Sequence, residues 1–143
     1  MKTISVIIPS YNEEKRLPAT LAKWQEFLSH NNGFLINEIL VIDDGSTDST
    51  ILKAQAFGNV LPIKTIKITP NQGKGNAVKT GIESANSDFV FIYDADAAVL
   101  PQELNRLFFH VRNADIVIGS RSAAGAKTKI SLFRKFIGKC FHA

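Results

Sequence analysis

A three-layer α/β/α domain with a mainly parallel sheet is the fold class this sequence predicts, on three observations. Short β-branched apolar runs alternate with longer segments of helical period, the order that covers a parallel sheet with helices on both faces. Breakers fall between the segments, at Asn31-Asn32-Gly33, Gly58-Asn59, Pro70-Asn71 and Pro101. The chain has 143 residues, 45% of them hydrophobic, which suits one sizeable core and is too little for two ordinary domains.

The elements follow in order. Ile4 to Ile8 is a run of mostly β-branched residues and reads as a buried strand. Leu17 to His30 has helical spacing and ends at the Asn-Asn-Gly breaker. Ile36 to Ile42 is the second strand, Ser49 to Phe57 the second helix and Ile63 to Ile68 the third strand. Asn76 to Ala85 is the third helix, Phe89 to Tyr93 the fourth strand, Gln102 to Arg112 the fourth helix and Ile116 to Ile118 a fifth strand. No internal repeat or low-complexity segment interrupts the series.

The net charge of +4 is unevenly spread: no acidic residue follows Asp115, whereas Arg121, Lys127, Lys129, Arg134, Lys135 and Lys139 do. The body before them is net acidic, so a nucleic-acid groove across the domain is not indicated. Cys140 is the sole cysteine, which rules out an intrachain disulfide and a cysteine-rich metal site and fits a reducing, cytoplasmic setting. The apolar start is cut short by Pro9 and the polar Ser10 to Arg16, too early for a signal-peptide core. No stretch approaches the roughly 20 apolar residues of a membrane-spanning helix, so membrane contact is expected to be peripheral or to come from sequence beyond this chain.

In open α/β sheets ligands bind outside the carboxyl ends of the strands. Five polar clusters fall at those ends: Pro9 to Glu14, Asp43 to Asp48, Asn71 to Asn76, Asp94-Ala95-Asp96 and Gly119-Ser120-Arg121. Asp94 and Asp96 leave a strand on alternate residues, so their carboxylates can converge on a divalent cation that takes further ligands from a substrate diphosphate. In isolation the same pair reads more readily as a turn or helix cap than as a metal site.

Each further cluster has a task and a plainer alternative. Tyr11 can flank a base and Glu13 can accept hydrogen bonds from base or sugar; alternatively Asn12 and Glu13 cap the first helix. Asp43 and Asp44 are adjacent, so at most one faces the cleft. Asp44 can accept the imino proton of a base, or form an Asx turn with Gly45, while Asp48 suits a cap of the second helix. Gly73-Lys74-Gly75 can bring N–H groups and an ammonium to an anion, but matches neither GxxxxGK[ST] nor GxGxxG. Arg121 can contact a phosphate or carboxylate, or lie solvated at the surface.

Taken together, VIIPSYNEE (Val6 to Glu14), VIDDGSTDST (Val41 to Thr50), NQGKGNAVKTG (Asn71 to Gly81), YDADAA (Tyr93 to Ala98) and VIGSR (Val117 to Arg121) resemble, in order and spacing, the family 2 glycosyltransferases of Rossmann-like GT-A fold. Within that family the chain is most similar to the dolichyl- or polyprenyl-phosphate sugar transferases. The resemblance implies that Pro9, Tyr11, Glu13, Ile42 and Asp44 surround the nucleotide, and that Lys74, Asp94, Ala95 and Asp96 complete the nucleotide-sugar site. It implies further that Asp94 and Asp96 hold Mg²⁺ or Mn²⁺, and that Arg121 and Arg134 lie near the phosphates of donor and acceptor. Asp96 and Arg121 carry the catalytic assignment. Ala98 departs from the glutamine of the mannosyl branch, which favours the glucosyl branch and UDP-glucose over GDP-mannose.

The implied reaction passes through an oxocarbenium-like state while negative charge builds on the leaving diphosphate, which a cation and arginines stabilise. A lipid phosphate, with a second pKa of about 6, attacks without a general base, whereas a hydroxyl acceptor needs one. The expected partners are therefore a nucleotide sugar and a polyprenyl or dolichyl phosphate. Competing readings are a GDP-mannose-dependent or polysaccharide-forming relative, a noncatalytic nucleotide-sugar-binding module and, remotely, a phosphoacceptor signalling domain. Residues 1–126 are expected to form the donor-binding domain. Residues 127–143 begin an acceptor- or membrane-facing part, because Ile130, Phe133, Ile137 and Phe141 recur at helical spacing among Arg134, Lys135 and Lys139. That segment either lies on the cytoplasmic face of a membrane or packs against a missing part of the protein. The pattern stops without a cap, so the chain is expected to be incomplete at its C-terminus.

Overall fold

The computed structural model describes residues 1–30, 34–111 and 114–120. Four strands, β1 (Thr3–Ser10), β2 (Leu35–Asp43), β3 (Ile63–Lys67) and β4 (Phe89–Ile92), pair in the order β3-β2-β1-β4, every pair parallel. The helices are α1 (Leu17–His30), α2 (Thr50–Gln55), α3 (Lys74–Ser84) and α4 (Glu103–His110). This is the expected α/β class. The chain divides into two units, Met1–Arg106 and Leu107–Ala143, and the division falls within α4. The boundary expected at residues 126–127 lies outside the described residues.

Strand β1 is central and buried from Ile4 to Ser10, because both of its faces are covered. Its alternate residues sort onto two layers. Ile7 packs with Leu40, Ile42 and Ala77 of α3. Val6, on the opposite face, pairs with Phe91, which meets Trp24 of α1 together with Tyr93. Trp24 is fully buried and sits edge-on to Phe27 at 5.6 Å and Tyr93 at 5.2 Å, so one aromatic cluster ties α1 to the end of β4. Helix α3 lies so close to the sheet that a Cβ at Gly81 would stand 2.4 Å from Ile7 Cγ2.

Element ends shift by a few residues, and one expected strand is missing. Helix α3 starts at Lys74, two residues earlier than expected, because Gly73 at φ 91° turns the chain directly into the first helical turn. Residues 116–118 form no strand, and Ile116 and Ile118 are 78% and 80% exposed. A strand exists only through its ladder, and among the described residues none pairs with this segment; its apolar run is a local signal that the long-range pairing does not honour.

The topology fixes where a ligand can go. From β1 the chain builds outward through β2 to β3, then returns to place β4 on the other side of β1. The order reverses between β1 and β4, and a crevice opens there beyond the carboxyl ends of the strands.

Candidate functional site

At that reversal lies a cleft of about 440 Å³, bordered by residues that follow β1 (Pro9, Ser10, Tyr11 and Glu13), β2 (Asp44), β3 (Asn71, Gly73 and Lys74) and β4 (Asp94, Ala95 and Asp96), with Arg16 and Ala77. Four sheet ends thus converge on one opening. Of the residues singled out in the sequence, Ile42 does not line it: it is fully buried in the core beneath Ala77, because strand alternation points it at α3. Ala98 is exposed and does not line the cleft either. Arg121 and Arg134 lie outside the described residues.

The two adjacent carboxylates after β2 diverge. Asp43 is fully buried, and its Oδ2 accepts the N–H of Ser46 at 3.2 Å. Asp44 turns to the cleft, where Oδ1 accepts from the Gln72 N–H at 2.9 Å and Oδ2 from the Gly73 N–H at 2.7 Å. The alternative Asx turn of Asp44 with Gly45 is not formed, because both Asp44 oxygens hold the loop between β3 and α3. The side-chain amide of Asn71 reciprocates by donating to the Asp44 carbonyl at 2.8 Å. This closeness needs Gly45: its φ is 78°, and a Cβ there would lie 2.9 Å from Asn71 N.

The loop after β1 is tied to the loop after β2. Asn12, at φ 53°, donates its N–H to the Ser46 hydroxyl oxygen at 2.9 Å, and its Oδ1 accepts the Thr47 N–H at 3.0 Å. Asp48 accepts from Glu14 N, Thr50 N and the Thr50 hydroxyl. Burial pushes its carboxyl up, but these bonds outweigh burial and hold it below its ordinary value. Ser49 holds the N-cap position of α2 without a side-chain bond, and Asp48, one place before it, takes the Thr50 N–H at the start of the helix. Glu13 does not face the cleft as a free acceptor: both its oxygens receive the Arg16 guanidinium, at 2.5 and 2.6 Å. That fork raises the Arg16 pKa, mainly through the hydrogen bond and then the charge of Glu13, with a smaller part from Asp96. Arg16 was missed in the sequence. The Glu13-to-Arg16 spacing of i,i+3 at a helix start was its one signal.

After β4 the strand alternation carries through: Asp94 and Asp96 are exposed and Ala95 between them is buried. The Ala95 carbonyl accepts the Thr20 hydroxyl of α1 at 2.6 Å. Asp96 Oδ1 accepts the Ala98 N–H at 3.0 Å, closing a turn through Ala97 at φ 50°. Behind them the Tyr93 hydroxyl donates to the Val99 carbonyl, and its pKa is pushed up to about 12 by burial first and then by the charges of Asp96 and Asp94. Asp94 Oδ1 is engaged by Lys74 Nζ at 2.5 Å.

Among the described residues no three His, Cys, Asp or Glu side chains gather around one point. Asp94 and Asp96 are two hard oxygen donors on one edge of the cleft, and the rest of a cation's shell would come from other ligands. That donor set suits Mg²⁺ or Mn²⁺ shared with a diphosphate better than an all-protein cage. Among the described residues no helix is long and apolar enough to cross a membrane.

Known proteins carry the same pattern. The family model described as Glycosyl transferase family 2 matches residues 5–139. A dolichol-phosphate mannosyltransferase of Pyrococcus furiosus is 36% identical over 95% of this chain and 38% of its own length. A dolichyl-phosphate beta-glucosyltransferase of Dictyostelium discoideum is 37% identical over 83% of this chain and 40% of its own. This chain therefore spans less than half the length of these relatives. Among solved structures, S. aureus TarS in complex with UDP is 31% identical, with a TM-score of 0.58 over 67% of this chain and 28% of that one. A mannosyltransferase of Pyrobaculum calidifontis in complex with GDP-Man and Mn²⁺ is 28% identical, with a TM-score of 0.57 over 65% of this chain and 27% of that one. These neighbours have the GT-A fold, and the parallel α/β sheet described above matches it.

Proposed function

Because the chain belongs to glycosyl transferase family 2, we propose that its cleft binds a nucleotide sugar and that the whole protein transfers the hexose, with inversion, to a polyprenyl or dolichyl phosphate. The observation that carries this reading is the convergence of Tyr11, Asp44, Lys74, Asp94 and Asp96 on one cleft at the β1/β4 reversal. Relatives that act on dolichyl phosphate, and neighbours bound to UDP or to GDP-Man with Mn²⁺, support it.

In this reading Pro9 and Tyr11 border the base and ribose, and the Asp44-anchored loop forms the opposite wall. Asp44 retains lone pairs beyond the two it gives to Gln72 and Gly73, so it can still accept from a base. Lys74 and the N-terminus of α3 face the diphosphate. Asp94 and Asp96 would hold Mg²⁺ or Mn²⁺, which supplies charge stabilisation for the departing diphosphate. Thr20, Tyr93 and the turn at Ala98 keep the two carboxylates in place. The acceptor phosphate, already substantially dianionic at neutral pH, takes the anomeric carbon without a protein base. Arg121 and Arg134 are assigned to the phosphates by resemblance. The basic residues 127–143 are assigned to peripheral contact with the cytoplasmic face of a membrane.

UDP-glucose is the favoured donor by resemblance alone, since alanine stands at position 98 where the mannosyl branch has glutamine. Calorimetric titration with UDP-glucose, UDP-GlcNAc and GDP-mannose in Mn²⁺ tests this. Tightest binding of UDP-glucose is expected; preference for GDP-mannose would reassign the branch, and binding of none would refute the donor site.

A further inference from the structure

We infer that Lys74 occupies Asp94 in place of a divalent cation until a donor diphosphate arrives, and that this exchange makes metal and nucleotide binding depend on each other. The inference rests on the donor-site reading above and adds to it a positioning role for a residue outside the acidic motif.

Three observations carry it. Lys74 Nζ stands 2.5 Å from Asp94 Oδ1, across the cleft from one sheet end to another. The root of Lys74 is fixed, since the preceding Gly73 N–H is bound to Asp44 and Lys74 opens α3; its four-carbon stem is what can move. The pair is also half in water, with side chains 65% and 58% exposed, so solvent screening keeps it weak enough to exchange. Among the described residues the other cationic side chain lining the cleft, Arg16, is already committed to Glu13.

The consequence is thermodynamic. A cation that arrives alone must displace the ammonium from Asp94. A donor that arrives first offers the ammonium a diphosphate with more charge and more acceptor oxygens, and Asp94 is released as the donor binds. Each ligand therefore lowers the cost of the other, by the same factor in both directions.

The test is Mn²⁺ titration of the full chain by electron paramagnetic resonance, without nucleotide and with UDP, for the parent, Lys74→Met, Lys79→Met and Asp94→Asn. Lys74→Met should bind Mn²⁺ alone about two- to fivefold more tightly, the factor expected of an exposed ion pair, and should show a metal–UDP coupling smaller by a similar factor. High salt, about 1 M, should erase the difference from the parent. Lys79→Met removes the same charge from the same helix and should bind Mn²⁺ as the parent does; an equal gain in both lysine variants would reduce the effect to net charge and overturn the inference. Unchanged or weaker Mn²⁺ binding by Lys74→Met, with coupling still lost in Asp94→Asn, would overturn the role of Lys74 and leave the donor site standing. Full coupling in Asp94→Asn would overturn both.

Discussion

The Asp44 carboxylate accepts the backbone N–H of Gly73 at 2.7 Å, joining the end of β2 to the first turn of α3 and thereby shaping one wall of the cleft. Asp44→Ala removes this bond and the one to Gln72, leaving two loop donors without their partner. UDP binding should weaken by about 1–3 kcal/mol. Asp48→Ala breaks bonds between two loops without touching the cleft, so it should lower the denaturation midpoint and leave the UDP affinity of the folded protein unchanged. Calorimetry beside urea unfolding separates the two effects, and UDP binding unaltered in Asp44→Ala would remove that residue from the site.

Two glycines give a second contrast. Gly45→Ala places a Cβ 2.9 Å from Asn71 N on a backbone at φ 78°, which should cost about 1–3 kcal/mol of stability and displace the loop that lines the cleft, so UDP affinity should fall too. Gly81→Ala meets Ile7 in the core at 2.4 Å and should destabilise by a similar amount through overpacking, with UDP affinity retained by the folded fraction. Equal UDP affinity in both variants would separate the Asn71–Gly73 loop from donor binding.

Much of this site is legible in the sequence, because periodicity and breakers place residues at strand ends and the strand ends of a parallel sheet share an edge. Asp94-Ala95-Asp96 keeps its alternation after β4 for that reason. Pairings across the edge are not legible: Lys74 reaches Asp94 from 20 residues away, and Asp44 reaches Gly73 from 29. Pattern says where a charge stands and not which neighbour engages it. Ile42 shows the same limit from the other side, since a position beside a motif does not reveal which face of the sheet the side chain takes. The fifth strand failed because an apolar run such as Ile116 to Ile118 carries no information about whether a ladder partner exists.

Glu38 should make stability depend on acid pH. It is buried on β2, where Oε1 accepts from the Ser5 hydroxyl at 2.7 Å and Asn86 N at 2.9 Å, and Oε2 from Lys64 Nζ at 2.7 Å. Burial alone raises its pKa, but these hydrogen bonds and the Lys64 charge outweigh burial and leave it lowered. Its stabilising contribution is therefore complete above the unfolded value of about 4.3 and is lost as pH falls through the lower folded value. Glu38→Gln should cost about 1–3 kcal/mol near neutral pH, with the gap to the parent narrowing toward about pH 3 in urea unfolding. A gap that widens on acidification would contradict the assigned direction.

Residues 130–143 should drive salt-sensitive binding to anionic vesicles, since each lysine or arginine near such a surface contributes about 1 kcal/mol and is screened within a Debye length. Sedimentation with phosphatidylserine vesicles should be lost when the segment is deleted. Equal sedimentation of both forms would assign its apolar face to a protein contact.

The most direct test of the central claim is UDP titration in a chelator and in Mn²⁺. If Asp94 and Asp96 hold a cation in company with the donor diphosphate, UDP should bind about 5- to 150-fold more tightly with Mn²⁺, the usual span of a coupling between two ligands. Asp96→Asn should remove most of that gain while keeping the fold. Equal UDP affinity in chelator and in Mn²⁺ would contradict the metal-assisted account and leave Asp94 and Asp96 as turn-forming residues.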